Sequence, residues 1–329
     1  MILRMLQWIA LAVLAMPIGL LAAQPYDPLV TAKAVDIRPL DLDVQDEARN
    51  RSLPIRVYIS AANGPVAVIL FSHGLGGSRE GNAFMGQHWA AHGYAVVFIQ
   101  HPGSDESVWK DKPRLQRMSA MRKAASVENF LARVKDVPAV LNQLQKWSQM
   151  TGHPLAGRLD MERVGMSGHS FGAITTQAMG GQTFESGRLS YADNRIKAAV
   201  MFSPSSPRRG GNSPTTFGQV SIPWMLMTGT KDVAMIGDAD LASRLGVFPA
   251  LPPVQKYELV LDRAEHSAFT ERALPGESEK RNPNHHRVIL ALSTAFWDAY
   301  LKENAFAKAW LNGEGPRTLL EPEDRWQKK

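Results

Sequence analysis

Short apolar runs alternate with amphipathic segments along most of this chain. Val66–Phe71 and Ala95–Ile99 have no polar interruption, which is typical of strands buried on both faces of a sheet. The alternating patterns of Val35–Val44 and Ile55–Ser60 predict a pair of edge strands. Three further strands are predicted later in the chain, at Ala198–Phe202, Trp224–Met227 and Tyr257–Leu261.

Segments with the apolar spacing of helices separate these strands. They are Ala83–Ala91, Phe130–Met150 with an interruption at Pro138, Ala239–Leu245 and Arg287–Leu301. Because strand and helix alternate, the pattern predicts an α/β fold whose central sheet is mostly parallel and covered by helices. The chain has no internal repeat or low-complexity linker, so residues 24–329 are predicted to form one domain.

The first residues have the pattern of a secretory signal peptide. Arg4 precedes an uncharged run, Met5–Ala23, which ends in small residues and is followed by the polar Gln24. We therefore predict a signal peptide at residues 1–23 and an exported protein, either periplasmic or secreted. The alternative is an uncleaved membrane anchor, since the run is nearly long enough to span a bilayer. Pro17 and Gly19 near its end favour cleavage, which would leave no stable membrane span.

Composition narrows the class of protein further. The chain has no cysteine, which excludes a lipid-anchored lipoprotein and means that stability must come from a hydrophobic core rather than from disulfides. The formal charge is +6, or +5 without residues 1–23, which carry only Arg4. Because this small excess is spread along the chain, no nucleic-acid partner is expected.

The most informative motif is Gly168-His169-Ser170-Phe171-Gly172, which follows a short strand-like run. This G-x-S-x-G pattern is that of a nucleophile elbow, in which the serine occupies a strained turn between a strand and a helix. Gly168 and Gly172 must be small, because a Cβ there would collide with the neighbouring strand and with the helix. The N-terminus of that helix would favour negative charge developing at Ser170. The motif predicts Ser170 as a catalytic nucleophile.

A glycine-rich turn, Ser72–Gly77, follows the first buried strand directly. Its glycines allow the backbone to present N–H groups at the edge of the sheet where Ser170 also emerges. We predict an oxyanion hole formed by the amides of Leu75 and Phe171. A phosphate-binding loop is disfavoured because no Gly-Lys-Ser/Thr follows. An ordinary strand-to-helix turn is the remaining alternative.

A catalytic serine needs a base, and the base needs a carboxylate to orient it. Asp232 lies in the turn after the strand predicted at 224–227 and is the candidate acid. Asp238 or Asp240 could cap the helix that follows. His266 lies in the loop after the last predicted strand and is the candidate base.

The other histidines are given no catalytic role. His285 and His286 open the last predicted helix and are expected to be solvated. His88 and His92 are four residues apart on one helix, a spacing that could suit a metal, but no third ligand is evident. Two histidines beside glycines of the catalytic turns are expected to be structural, namely His73 and His169. No metal and no organic cofactor is predicted.

The order Ser170, Asp232, His266 is that of the α/β-hydrolases. Together with Ser72–Gly77 and Gln100–Asp105, these motifs make roughly residues 50–305 resemble the serine α/β-hydrolases related to platelet-activating-factor acetylhydrolases and bacterial dienelactone-hydrolase-like esterases. The resemblance implies the α/β-hydrolase fold. True dienelactone hydrolases use a cysteine nucleophile, and cutinase-like polyester hydrolases often carry a disulfide. Dienelactones and polyesters are therefore less expected as substrates here, because the chain has no cysteine.

These residues predict a serine carboxylic-ester hydrolase that forms an acyl-enzyme. The expected partner is a small-molecule or lipid-like ester with a short or medium acyl chain. Irregular stretches at 102–125 and 203–221 are long enough to form a rim or lid over the carboxyl edge of the sheet, where α/β folds bind ligands. An amidase or peptidase with the same triad, and a non-catalytic binding protein, stay open as alternatives. Acyl length and oligomeric state also stay open.

Overall fold

A computed structural model describes residues 26–31, 37–60, 64–207, 214–237 and 239–329 of the chain. Its strands, in chain order, are β1 (Leu40–Asp46), β2 (Arg51–Ile59), β3 (Val66–Ser72), β4 (Ala95–Ile99), β5 (Leu159–His169), β6 (Thr183–Phe184), β7 (Leu189–Ser190), β8 (Ile196–Phe202), β9 (Trp224–Lys231), β10 (Lys256–Glu265) and β11 (Arg325–Lys328). β6 and β7 pair only with each other, and the rest form one sheet in the order β1-β2-β4-β3-β5-β8-β9-β10-β11. Neighbouring strands from β4 to β10 in that order are parallel, whereas β1, β2 and β11 pair antiparallel. The prediction of a mostly parallel sheet is confirmed.

Helices cover both faces of this sheet. They are α1 (Ala83–Ala91), α2 (Arg114–Ala124), α3 (Val127–Gln149), α4 (Phe171–Met179), α5 (Pro214–Phe217), α6 (Leu241–Leu245), α7 (Val247–Ala250), α8 (Pro283–Tyr300) and α9 (Ala305–Asn312). In β3, Ile69 and Phe71 belong to the core beneath α1 and α8, together with Trp89. Val68 and Leu70 belong to the opposite core beneath α3. Burial on both faces is what the uninterrupted apolar run predicted.

Two predicted features of the first half differ in detail. The expected pair of edge strands exists as β1 and β2, but β2 also pairs with β4, so of these two strands only β1 lies at the edge. α3 continues through Pro138, where an interruption was expected. Val137 and Leu141 on either side are fully buried against the sheet. This burial outweighs the roughly 3 kcal/mol that an interior proline costs a helix.

The two stretches expected to be irregular are partly ordered. Residues 102–125 contain the whole of α2, so this stretch is not simply a loop. Residues 203–221 contain α5, whose Phe217 is fully buried and belongs to the core rather than to a rim. Residues 208–213 of that stretch lie outside the described residues.

The start of α8 also differs from the prediction. The helix begins at Pro283, so His285 falls on the same face as the buried Val288 and Ile289. His285 is therefore buried, and the expectation that it is solvated was wrong. Within the described ranges, no helix combines the length and apolar character needed to cross a membrane. The predicted signal peptide at 1–23 lies outside those ranges and stays a prediction.

Candidate active site

Ser170 stands at the turn between β5 and α4. Its backbone φ is +56°, in a region that residues other than glycine rarely adopt, so the turn is strained as an elbow requires. A Cβ on Gly172 would overlap the carbonyl oxygen of Ser72, and one on Gly168 would overlap the backbone of Gly172. Both positions therefore need glycine for the steric reason that the motif implied.

The three polar residues predicted to act together lie in one hydrogen-bonded chain. The Ser170 hydroxyl donates to Nε2 of His266 at 2.9 Å, and Nδ1 of His266 donates to Oδ1 of Asp232 at 2.7 Å. Ser170 follows β5, Asp232 follows β9 and His266 follows β10. Because these strands are parallel, their carboxyl ends bring the three side chains to one edge of the sheet. The arrangement suits proton transfer from the serine to the histidine.

The carboxylate of Asp232 is fully buried, and it accepts hydrogen bonds and lies beside a guanidinium. Its Oδ2 accepts a hydrogen bond from the Thr228 hydroxyl at 2.8 Å, and the Nε atom of Arg244 lies 3.3 Å from Oδ1. Burial by itself would raise the pKa of Asp232. The hydrogen bond from His266 and the charge of Arg244 outweigh burial and hold that pKa well below its usual value. Asp232 is therefore ionised at neutral pH and can orient an imidazolium.

The two other aspartates near Asp232, Asp238 and Asp240, were expected as possible helix caps. Asp240 caps α6, where its Oδ1 accepts a hydrogen bond from the Ser243 amide at 2.9 Å. Asp238 lies outside the described residues. Arg244 was not predicted as part of the site. It is buried and donates to the carbonyl oxygen of Ser203 at 2.7 Å. It lies four residues after Asp240 on α6, and no local pattern reveals that its guanidinium turns toward Asp232.

The amides proposed as oxyanion donors are available. Gly76 donates its N–H to the Ser104 carbonyl at 2.8 Å, and Gly77 donates to the Gly74 carbonyl at 3.1 Å. Leu75 directly precedes these two glycines, and its amide has no hydrogen-bond acceptor among the described residues. The Phe171 amide opens α4, and the first amides of a helix have no partner within it.

His169 and His73 both form hydrogen bonds with backbone groups. These contacts agree with the expectation that the two histidines are structural. Nε2 of His169 donates to the carbonyl oxygen of His266 at 3.0 Å. Burial, followed by the charge of His266, lowers the pKa of His169 to about 3, so it is neutral. Nδ1 of His73 donates to the Gly74 carbonyl at 2.7 Å, while its Nε2 accepts from the His101 amide at 3.1 Å.

The pair His88 and His92 bonds to protein groups. Nε2 of His88 lies 3.0 Å from the Thr294 hydroxyl, and Nδ1 of His92 donates to the His88 carbonyl at 2.8 Å. In the part of the chain that the structure describes, no three histidine, aspartate or glutamate side chains converge as metal ligands would.

Part of the 102–125 stretch lies directly on the glycine-rich turn Ser72–Gly77, called the oxyanion turn below because it is predicted to carry one of the oxyanion donors. Nε1 of Trp109 donates to the Gly76 carbonyl at 2.8 Å. The side chain of Met121, in α2, packs so closely on Gly76 that an added Cβ would approach its sulfur to 2.5 Å. Gly76 also has a φ of +70°, which favours glycine. Two apolar side chains therefore contact Gly76, the residue that follows the predicted donor Leu75.

The parallel sheet with helices on both faces, and the serine at a strand-to-helix elbow, define a protein with the α/β-hydrolase fold. Residues 58–204 match the family model of platelet-activating factor acetylhydrolase, isoform II. This confirms the resemblance drawn from the motifs and supports a serine hydrolase that acts on esters in general. The matched segment includes the oxyanion turn and the elbow but ends before Asp232 and His266. No curated protein matches the chain significantly.

Proposed function

We propose that the protein is a serine carboxylic-ester hydrolase with Ser170 as nucleophile, His266 as base and Asp232 as the orienting acid. The observation that carries the proposal is the continuous hydrogen-bonded chain from Ser170 to Asp232, with separations of 2.9 and 2.7 Å. It is supported by the two available amides beside it and by the family match that covers the elbow.

The chemistry follows from these contacts. His266 takes the proton of the Ser170 hydroxyl as its oxygen attacks the ester carbonyl, and Asp232 stabilises the imidazolium that forms. The amides of Leu75 and Phe171 hold the oxyanion. When the tetrahedral intermediate collapses, the alcohol leaves with the proton from His266. A water molecule activated by the same histidine then cleaves the acyl-enzyme and regenerates the serine.

The substrate we propose is a small or lipid-like ester with a short or medium acyl chain. Trp109 and Met121 support this choice, because they present apolar surface beside Gly76 in the oxyanion turn. The proposal includes export through the predicted signal peptide at 1–23. Intact-mass measurement of the protein recovered from the periplasm or medium tests cleavage, and recovery of full-length protein in the membrane fraction would favour an anchor.

The test is hydrolysis of a series of p-nitrophenyl esters, from acetate to long acyl chains, by the native protein and by Ser170→Ala. We expect the substitution to lower turnover by roughly 10⁴- to 10⁶-fold, as loss of a triad serine commonly does. The chain-length optimum then gives the size of the acyl pocket. If the folded native protein hydrolyses no ester, the proposal fails, and the matching p-nitroanilides test the amidase alternative.

A further inference from the structure

Arg133 is a buried arginine in α3 that the catalytic scheme does not use. Its side chain has no exposed surface, and it lies on the same helix as the buried Val134 and Val137. Burial lowers the pKa of Arg133 to about 9, while the charge of Asp136 opposes this shift. The guanidinium is therefore still charged at neutral pH. A charge is tolerated at such depth only where it is well bonded, so its partners explain its presence.

Those partners are backbone groups of the oxyanion turn. Nη1 of Arg133 donates to the His73 carbonyl at 2.6 Å, and Nη2 lies 3.4 Å from the Gly74 carbonyl. Nε and Nη2 also donate to the hydroxyl and carbonyl of Ser104, at 2.8 and 3.3 Å. The Ser104 carbonyl is the acceptor for the Gly76 amide. Arg133 therefore binds the backbone directly before Leu75 and is linked to the backbone after it through the Ser104 carbonyl.

The Gly74 carbonyl and the Leu75 amide belong to the same peptide group. Because a peptide group is planar and trans, its C=O and N–H point in opposite directions. The Gly74 carbonyl also accepts hydrogen bonds from Nδ1 of His73 at 2.7 Å and from the Gly77 amide at 3.1 Å. Arg133 supplies the charged donor of this set, which fixes the carbonyl and so directs the Leu75 N–H to the opposite side of the peptide group. Hydrogen bonds to the carbonyl also polarise the peptide group and strengthen its N–H as a donor.

The same guanidinium contacts the residue that carries the second donor. The central carbon of Arg133 lies 4.4 Å from the centre of the Phe171 ring, within the range of a cation–π interaction. Phe171 directly follows Ser170, so its ring and its amide are attached to the elbow itself. Arg133 is thus in contact with both structures that provide oxyanion donors.

We propose that Arg133 is a positioning residue for the oxyanion hole, which holds the Gly74–Leu75 peptide and Phe171 where the two donors are needed. This inference rests on the proposed function, through which the hole is assigned. Arg133 acts through Leu75 and Phe171 rather than by touching the ester. Its loss should therefore weaken binding of the transition state more than binding of the substrate.

The test compares Arg133→Met and Arg133→Lys with a matched control, Arg51→Met. Arg51 lies in the same polar region, where it donates to the Pro102 carbonyl at 2.6 Å and to Asp136 at 2.9 Å. It has no described contact with Leu75 or Phe171. For each variant we would measure kcat and KM on a p-nitrophenyl ester, the rate constant for labelling by a fluorophosphonate, and the midpoint of urea unfolding.

We expect Arg133→Met to lower kcat about 10- to 100-fold, somewhat less than the ~10²–10³-fold that follows outright removal of an oxyanion donor. KM should stay within about threefold, and the labelling rate should fall by the same factor as kcat. Arg133→Lys keeps the charge but cannot bridge the same carbonyls. Its kcat and its labelling rate should therefore lie between those of the native protein and those of Arg133→Met. Arg51→Met should lower stability while kcat stays within about threefold of the native value.

Equal losses of kcat in Arg133→Met and Arg51→Met would overturn the proposal, since both would then reflect loosening of the fold. If Arg133→Met does not fold, Arg133→Lys decides, and a native labelling rate in that variant overturns the proposal. If the native protein is labelled at Ser170 but hydrolyses no ester, the proposed function fails. The proposal for Arg133 is then still tested by the labelling rates of the variants. If the native protein neither labels nor hydrolyses esters, both proposals fail.

Discussion

The hydroxyl of Ser72 donates to Nε2 of His101 at 2.9 Å, the same separation as between Ser170 and His266. Nδ1 of His101 in turn lies 2.9 Å from Oδ2 of Asp136, which completes a second serine, histidine and aspartate array. All three members of this second array are completely buried. It links the end of β3 to α3 beneath the oxyanion turn, so we interpret it as a structural brace.

Exposure should decide which of the two serines reacts. We expect a fluorophosphonate to modify Ser170 and to leave Ser72 unmodified, because no reagent can reach a hydroxyl with no exposed surface. Peptide mapping by mass spectrometry after labelling checks this, with Ser170→Ala and Ser72→Ala as the matched pair. Labelling that persists in Ser170→Ala and disappears in Ser72→Ala would reverse our assignment of the nucleophile.

Asp232→Asn should lower kcat by about 10⁴-fold, because an amide cannot hold His266 in the required tautomer. The matched control is Asp240→Asn, since asparagine caps a helix about as well as aspartate and Asp240 caps α6. We expect Asp240→Asn to keep native activity in the p-nitrophenyl ester assay. Loss of activity in the Asp240 variant, with activity retained in Asp232→Asn, would mean that the acid is misassigned.

Gly172→Ala should lower the free energy of unfolding by more than about 3 kcal/mol, since its methyl group would overlap backbone atoms of Ser72 and cannot be accommodated by a rotamer change. At Gly81, by contrast, an added Cβ would meet its nearest atom, the Ser78 carbonyl oxygen, at 3.6 Å. Gly81→Ala should therefore change stability by less than about 1 kcal/mol. Urea unfolding of the two variants measures both values, and equal stabilities would contradict the packing at the elbow.

Acid should destabilise the protein before its carboxylates titrate. Burial lowers the pKa of His101 to about 4 and that of His169 to about 3, whereas an unfolded histidine titrates near about 6.5. As the pH falls from about 6.5 to about 4, the unfolded chain binds protons that the folded protein does not. Each of these histidines should therefore lower the free energy of unfolding by up to ~1.4 kcal/mol per pH unit in that window.

Urea unfolding at a series of pH values, for the native protein and for His169→Gln, measures this slope. Glutamine can keep the donor to the His266 carbonyl but does not titrate, so the slope should fall by about one proton. His153→Gln is the control, because that histidine is only partly buried. A slope in His169→Gln that equals the native slope would mean that His169 is not held neutral by the fold.

Several elements of the fold were predictable from local patterns. α1 and β4 have the bounds that the sequence predicted, because their apolar residues are continuous or regularly spaced and are bounded by clear breaks. β11 was missed, since Arg325–Lys328 is mostly polar and exposed. It forms a strand through its backbone pairing with β10, and Trp326 stacks on Tyr257 at 5.7 Å between ring centres.

Some residues of the candidate site could likewise be predicted from the sequence, and others could not. Ser170, Asp232 and His266, which the structure brings into one hydrogen-bonded chain, could be proposed from the sequence because each follows a strand in the order typical of the fold. Arg133 and Arg244 were missed, because nothing near them in the chain reveals their partners. Arg133 binds carbonyl groups about sixty residues earlier, and Arg244 lies in a short helix whose sequence shows no ion pair.

The sequence by itself determined the alternation of strands and helices, the need for glycine at the elbow and the chain order of the three side chains proposed to be reactive. These properties depend on apolar periodicity and on steric limits within a few residues, which act wherever the chain is placed. Tertiary structure decided which charges are buried and which amides remain free. Those properties depend on atoms that meet from remote segments, since a buried charge is stable only where the whole fold supplies its partners.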